Sequence, residues 1–289
     1  MRRVDLQAHS RHSDGELAVS DLVAAAAAAG VEVLALSDHD TVDGVAEALE
    51  AAPAYGIGIL TAAEISAVDA GYEDLHILGY GIDHRDETLL ERLRGAREDR
   101  ELRADRMAGM LEELGYAIDR APLEARRDAG KPIGRPHLAG AVLAHPANAE
   151  RLREEGHDDV SSFIPALLIP GAPAYARRTR PTVAEAIAWI HDAGGRAFWA
   201  HPFWDIAAEE EVLAALERYR ATDLDGVECF YVTHDARQAL LLADRAAELG
   251  LLSSASSDYH GPAHRLFSRF LAYELYGREP ALGSLLDDV

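Results

Sequence analysis

The stretch Val4-Asp5-Leu6-Gln7-Ala8-His9-Ser10, continued by Ser13-Asp14-Gly15, is a short apolar run that ends in metal-ligand chemistry. After a polar turn, Leu17 to Ala29 reads as a helix with Ser20 or Asp21 near its start. The same order then repeats. Val31 to Leu36 reads as a strand that leads to Ser37-Asp38-His39-Asp40, and Thr41 to Tyr55 reads as the next helix. Ile57 to Leu60 and Leu75 to Leu78 read as further strands. Strand followed by helix, repeated, predicts an α/β fold over a helical bundle or a β-sandwich.

The middle of the chain breaks this rhythm. Residues 86–127 are rich in Glu, Arg, Leu and Ala at helical spacing, with Leu89, Leu93, Met107, Met110, Leu111 and Leu114 as inward positions. Gly130-Lys131-Pro132 and Gly134-Arg135-Pro136 interrupt it, a helical stretch follows over 137–159, and four prolines punctuate the loop before a helix at 182–193. The expectation is a core formed by 1–85 and 181–289, with 86–180 a mostly helical insertion covering the active site. The core resumes with strands at Ala197 to Ala200, ending at His201, and at Gly226 to Tyr231, running towards His234. A last strand, Leu251 to Ala255, leads to Ser256-Ser257-Asp258-Tyr259-His260.

Composition narrows the function. With 289 residues, 48% of them hydrophobic, the chain can bury one large core. Charged residues and histidines interrupt the N-terminal apolar runs well before the roughly 20 residues of a membrane span, so no membrane association and a cytoplasmic location are expected. The lone Cys229 excludes an internal disulfide and a cysteine-rich zinc site, leaving imidazole and oxygen as metal ligands. A formal charge of −22 opposes binding of a long nucleic acid and favours a focused pocket where metals or local arginines reverse the field. No separate association element is visible, which favours a monomer.

Chemistry-bearing side chains recur just beyond successive strands, where α/β folds place their ligands. His9, Asp14, His39, Glu64, His76, His201, Asp258 and His260 supply enough ligands for two or three ions of zinc, manganese or iron. Taken singly, each histidine is equally well an ordinary hydrogen-bonded loop residue. Their recurrence after strand upon strand is not what scattered surface histidines produce.

These motifs carry a family resemblance. Asp5-Leu6-Gln7-Ala8-His9-Ser10, Leu36-Ser37-Asp38-His39-Asp40-Thr41, Glu64-Ile65-Ser66, His76-Ile77-Leu78-Gly79-Tyr80-Gly81, Gly134-Arg135-Pro136-His137, Ala200-His201-Pro202 and Ser257-Asp258-Tyr259-His260 resemble the polymerase and histidinol phosphatase (PHP) family of metal-dependent phosphoesterases. The likeness is closest to its nucleoside 3′,5′-bisphosphate phosphatase and cyclic phosphodiesterase branch. The resemblance implies a distorted (β/α)₇ barrel with a helical insertion, and two or three divalent ions, Mn²⁺ first, with Fe²⁺ or Zn²⁺ as alternatives. It implies that His9, Glu64 and Asp258 hold one ion, Glu64, His76 and His201 a second, and Asp14, His39 and His260 a third. Such ions clamp phosphate oxygens and activate water for attack on phosphorus. Arg135 and His137 would contact substrate, Arg135 gripping phosphate bidentately. His234 would either protonate the leaving group or bind the phosphate.

Three departures stand out. Gln7 occupies a position where the family has histidine, and an amide is the poorer ligand, so the first ion is expected to be weaker, held through water, or absent. Ala172 replaces a lysine suited to a second phosphate, a charge that Lys131, Arg177 or Arg178 would have to restore. Phe203-Trp204 follows His201-Pro202, where rings either stack on a base or sugar or pack the insertion against the barrel. The leading expectation is hydrolysis of a small nucleotide-like phosphomonoester, with a nucleoside 3′,5′-bisphosphate as a candidate, to release inorganic phosphate; the substrate partner is a small phosphorylated nucleotide or sugar. The alternatives are cyclic phosphodiesterase action, 5′–3′ exonuclease action on short RNA, and a non-catalytic metal- or phosphate-binding domain.

Overall fold

The computed structural model describes residues 2–128, 133–177, 181–287 and 289, so Gly130, Lys131, Pro132 and Arg178 lie outside the described residues. The described residues fall into two compact units, Met1–Arg94 with Pro181–Val289, and Gly95–Arg180.

The first unit is built on one seven-stranded sheet whose spatial order is the chain order. Its strands are β1 (Val4–Ala8), β2 (Val33–Leu36), β3 (Gly58–Asp69), β4 (Tyr72–Tyr80), β5 (Arg196–Trp199), β6 (Gly226–Tyr231) and β7 (Leu252–Ser256). β1, β2 and β3 run parallel, as do β5, β6 and β7, while β4 is antiparallel to both neighbours. A parallel bridge between Ala8 and Tyr259, with His9 N–H donating to the Tyr259 carbonyl at 2.8 Å, brings the last strand back to the first. The result is a nearly closed, mostly parallel barrel, the distorted (β/α)₇ class that the resemblance implied. The helices are α1 (Val19–Ala28), α2 (Val45–Ala51), α3 (Glu87–Glu113), α4 (Ala121–Asp128), α5 (Arg135–Leu143), α6 (Ala149–Glu155), α7 (Val160–Leu167), α8 (Val183–Asp192), α9 (Pro202–Asp205), α10 (Glu209–Arg220) and α11 (Ala236–Leu249).

Alternation along the strands sorts side chains to two faces. Leu6, Ala35, Leu60, Leu78, Tyr80 and Phe198 meet in one buried cluster drawn from β1 to β5, which only the barrel interior can supply. The intervening residues, among them Ile65, Ile77, Trp199, Val227 and Cys229, pack outward with Ile187 and Ile190 of α8, Leu216 of α10 and Leu242 of α11. Counting by two from that interior cluster, Glu64 follows Leu60 and Ala62, and His76 precedes Leu78 and Tyr80. The period that fills the floor with hydrocarbon therefore aims the carboxylate and imidazole into the barrel mouth.

Two expectations are corrected here. Glu64 was expected just beyond a strand at 57–60, but β3 is long and Glu64 lies within it, as His76, expected in or at the end of its strand, lies within β4. The two strands form an antiparallel hairpin closed by Ala70-Gly71, with φ of 45° and 99°, the positive pair that matches strand twist. Leu114, expected inward, is 38% exposed because α3 ends at Glu113 and the chain turns away at Gly115. Leu89 and Leu93, on the first turns of α3, pack into the barrel's outer core. The second unit has its own core around Met107, Leu111, Leu138, Val142 and Phe163. Among the described residues, no helix is long and apolar enough to cross a membrane.

Candidate metal centre

Backbone conformation at the strand ends presents the candidate ligands. Asp40, His201 and Asp258 adopt positive φ (54°, 30° and 52°), a region costly to residues other than glycine and held only where the surroundings over-determine it. The Asp40 carboxylate accepts from Ser66 N–H at 2.8 Å and Ser66 Oγ at 3.0 Å, locking the loop that carries His39 onto β3. Glu228 Oε2 accepts from the His201 N–H at 2.8 Å. The Tyr231 hydroxyl donates to Asp258 Oδ2 at 2.8 Å, turning Oδ1 towards His9. Asp38 accepts from Ser10 N–H and from the Ser10 and Ser13 hydroxyls, which fixes the loop bearing Asp14.

Eight side chains converge as a consequence. Glu64 Oε2 stands 3.1 Å from His9 Nε2 and 3.6 Å from His39 Nδ1, and Oε1 stands 2.9 Å from His76 Nδ1 and 3.0 Å from His201 Nε2. His9 Nε2 is also 2.9 Å from Asp258 Oδ1. On the outer side, Asp14 lies 3.6 Å from His39 Nε2 and 3.4 Å from His260 Nε2. Ligand atoms fall into three groups, each within 4.8 Å: His9, Glu64 and Asp258; His39, Glu64 and His76; and His9, Asp14, His39 and His260. The first group is the set implied for one ion. The second takes His39 where the resemblance takes His201, although His201 Nε2 lies only 3.4 Å from His76 Nδ1.

Buried atoms without partners test whether cations fit. His9 is fully buried, and His9 Nδ1 and His201 Nδ1 make no hydrogen bond among the described residues, while His9 Nε2 and Asp258 Oδ1, 2.9 Å apart, and His39 Nδ1, 3.6 Å from Glu64, are buried and meet without hydrogen-bond geometry. A buried polar atom left without a partner costs about 1–3 kcal/mol, so a cluster of them marks a place for something else. Nitrogen and carboxylate oxygen suit manganese, iron and zinc. His260 Nδ1 donates to the Asp258 carbonyl at 2.7 Å, which leaves Nε2 as the ring atom facing Asp14 at 3.4 Å.

Electrostatics demand positive charge in the same place. Burial opposes ionisation of Glu64, but His39, His76 and His201 outweigh it and hold the carboxyl well below its usual range. Burial likewise opposes the Asp14 charge and is outweighed by His39 and His260. Burial disfavours protonated His9 and His201, yet their carboxylate neighbours prevail, holding His9 well above its ordinary pKa and His201 at about 9. His39 goes the other way, depressed to about 4 by burial. Carboxylates this strongly charged in a buried cluster are the setting divalent cations occupy.

The remaining expected residues are placed differently. Gln7 is buried and donates through Nε2 to Glu64 Oε2 at 2.8 Å. His234 follows β6. Its Nδ1 donates to the Cys229 carbonyl at 3.0 Å, its Nε2 is buried and unpartnered, and burial lowers its pKa to about 4. Arg135 and His137 belong to the second unit, where Arg135 opens α5 and His137 Nδ1 accepts from the Gly134 N–H at 2.9 Å. Phe203 packs against the barrel's outer core and meets His234 edge-on at 5.5 Å, whereas Trp204 is 49% exposed. Sequence reasoning missed Tyr231, Glu228 and Ser256. The alternation of β6 and β7 was the available signal for the last two, which point inward.

Residues 5–125 match the PHP domain family model. The chain is 32% identical to a 3′,5′-nucleoside bisphosphate phosphatase of Chromobacterium violaceum, over 91% of this chain and 88% of that one. It is also 32% identical to a 5′–3′ exoribonuclease of Haemophilus influenzae, over 90% of this chain and 91% of that one. A solved amidohydrolase structure from C. violaceum, with sulfate bound and no metal, superposes with a TM-score of 0.74 at 29% identity, covering 96% of this chain and 93% of that one. Clustered ligands at a barrel mouth, an outer core of helices and similarity along nearly the whole chain lead to one conclusion: the chain belongs to the PHP-domain family of metal-dependent phosphoesterases, hydrolases that use a metal cluster on small phosphorylated substrates.

Proposed function

We propose that this enzyme removes a phosphate from a small nucleotide, with a nucleoside 3′,5′-bisphosphate as the first candidate substrate. The observation that carries the reading is the convergence of five imidazoles and three carboxylates on Glu64 and Asp14 in a chain similar throughout to a bisphosphate phosphatase. His9, Glu64 and Asp258 would hold one ion, Glu64, His76 and His201 another, and Asp14, His39 and His260 a third, with Mn²⁺ preferred over Fe²⁺ or Zn²⁺ from family resemblance. Bound divalent ions supply Lewis acidity to phosphate oxygens and lower the pKa of water.

The protein's own side chains do the rest. Tyr231 and Glu228 orient Asp258 and His201. His234, neutral with an open Nε2, serves as an acceptor for a phosphate or hydroxyl proton and becomes a proton donor only after it takes one up. Arg135 and His137 are assigned to substrate phosphate. Half-exposed Trp204, one turn beyond His201 and 5.5 Å from the Phe267 ring, supports a nucleoside over a bare sugar. The proposal takes the enzyme as a cytoplasmic monomer.

Similarity to an exoribonuclease favours a second reading, 5′-terminal trimming of short RNA, while the charge of −22 weighs against long polymers. The test is phosphate or nucleotide release by metal-stripped protein reloaded with Mn²⁺. Substrates are adenosine 3′,5′-bisphosphate, AMP, a ribose cyclic phosphate and a short 5′-phosphorylated RNA, with Asp14→Ala as control. Preferential phosphate release from the bisphosphate, lost in the control, is expected. Turnover of the RNA or the cyclic phosphate alone would overturn the bisphosphate assignment.

A further inference from the structure

Gln7 sits where a ligand would be expected, but its hydrogen bonds commit it elsewhere. Nε2 donates to Glu64 Oε2 at 2.8 Å, and Oε1 faces the Ser256 hydroxyl at 3.3 Å. Ser256 Oγ, with one proton to give, stands between Gln7 Oε1 and Glu228 Oε1, Glu228 Oε2 accepts from the His201 N–H at 2.8 Å, and His201 Nε2 returns to Glu64 Oε1 at 3.0 Å. Glu64, Gln7, Ser256, Glu228 and His201 thus form a closed circuit, every member buried. The circuit also fixes the amide's orientation. Glu64 offers only acceptors, so Nε2 must face it, and rotating the amide would set oxygen against carboxylate oxygen. An amide nitrogen has no lone pair to give a cation, and the amide oxygen is turned to Ser256.

We infer that Gln7 is a positioning residue for Glu64 and not a metal ligand, and that Ser256 and Glu228 extend the same restraint to His201. Glu64 is shared between two of the three ligand groups, so its orientation sets both. The ion at His9, Glu64 and Asp258 then has three protein ligands and gains no fourth from Gln7. Fixing a shared carboxylate through a neighbour's hydrogen bond is worth about 10- to 100-fold in metal affinity. The inference rests on the metal reading of the site.

The experiment is Mn²⁺ binding to metal-stripped full-length protein by equilibrium dialysis with metal analysis, together with the electron paramagnetic resonance spectrum of bound Mn²⁺. Wild type is compared with Gln7→Ala, Gln7→Glu and Ser256→Ala, each checked for a cooperative melt. Gln7→Ala is expected to weaken the two Glu64-dependent ions about 10- to 100-fold and to alter the spectrum of the coupled pair. Gln7→Glu, which cannot donate to Glu64, is expected to do no better, and Ser256→Ala to act in the same direction to a smaller extent. A ligand role predicts the opposite for Gln7→Glu, because a carboxylate binds Mn²⁺ better than an amide does. Affinity at or above wild type in Gln7→Glu, or unchanged binding and spectrum in Gln7→Ala, overturns the inference while leaving the metal site intact. Absence of Mn²⁺ uptake by wild type overturns both.

Discussion

Glu64 and His76 are diagonal neighbours across the antiparallel β3–β4 pair: Glu64 faces Leu78, His76 faces Ser66, and 2.9 Å separates Glu64 Oε1 from His76 Nδ1. Strand register creates this contact, and a slip of one residue would turn one partner's side chain to the outer face. Because the same carboxylate also faces His9, His39 and His201, Glu64→Ala should remove ligation from two of the three groups at once. Metal analysis is expected to find the two Glu64-dependent ions lost. Phosphate release should fall at least about 100-fold, the equivalent of roughly 3 kcal/mol of metal-derived stabilisation. Full metal content in the variant would refute the shared-ligand role.

Gly15 lets the loop bearing Asp14 fold back over His9. A Cβ there would lie 2.0 Å from the His9 carbonyl oxygen and 2.4 Å from its carbon, backbone atoms that cannot swing aside. Gly15→Ala is expected to cost about 1–3 kcal/mol, read as a lower Tm, because the chain must shift to admit the methyl group. The same shift displaces Asp14 from His39 and His260, so Mn²⁺ affinity should fall alongside stability. A variant with wild-type Tm and affinity would show that the loop tolerates another path.

What could be read in the sequence was the set of candidate ligands that follow apolar runs, since a histidine or carboxylate after a buried strand is visible without knowing the fold. His9, His39, His201 and Asp258 belong to this class. The β3–β4 hairpin was harder, because its turn is Ala70-Gly71, which lacks the Asn-Gly or Asp-Gly signature of such turns. Glu228 was missed for a related reason. A single acidic residue inside Val227-Glu228-Cys229-Phe230 announces neither a ligand nor a surface, and only the inward face of β6 explains it. Burial there raises its pKa to about 8. Trp204 was ambiguous until its exposure was known, since aromatic residues serve packing and stacking equally well.

Asp5 gives a pH dependence that can be separated from the metal cluster. Its carboxylate is buried and accepts from Ser257 N–H, Ser257 Oγ and Leu271 N–H at 2.8, 2.6 and 2.7 Å. Burial outweighs these bonds and raises its pKa from 3.8 to about 6. The folded state therefore holds this proton more tightly than the unfolded chain. The resulting stabilisation is fully present below about pH 3.8 and is lost as pH rises through about 6, about 3 kcal/mol in all. Asp5→Asn has no such proton to lose. Urea unfolding of metal-free protein at pH 4, 5, 6 and 7 should find wild type losing about that much stability relative to the variant. A difference that stays constant across the series would count against a raised pKa.

Trp204 tests whether the substrate carries a base. It stands three residues after His201, on α9, is 49% exposed, and packs its ring 5.5 Å from Phe267, whose own ring is 5.4 Å from His260. An indole left half in water beside ligand-bearing loops has apolar area to gain from covering, and a nucleobase gains about 1–3 kcal/mol by stacking on such a ring. Trp204→Ala should therefore raise KM for adenosine 3′,5′-bisphosphate by about 5- to 150-fold, the same energy as a ratio. Its effect on KM for a base-free sugar phosphate should stay within about two-fold, and Trp204→Phe should keep most of the wild-type preference. The discriminating quantity is the ratio of the two KM effects, since a structural defect would raise both together. Equal increases for both substrates would remove the stacking role and, with it, this support for a nucleotide substrate.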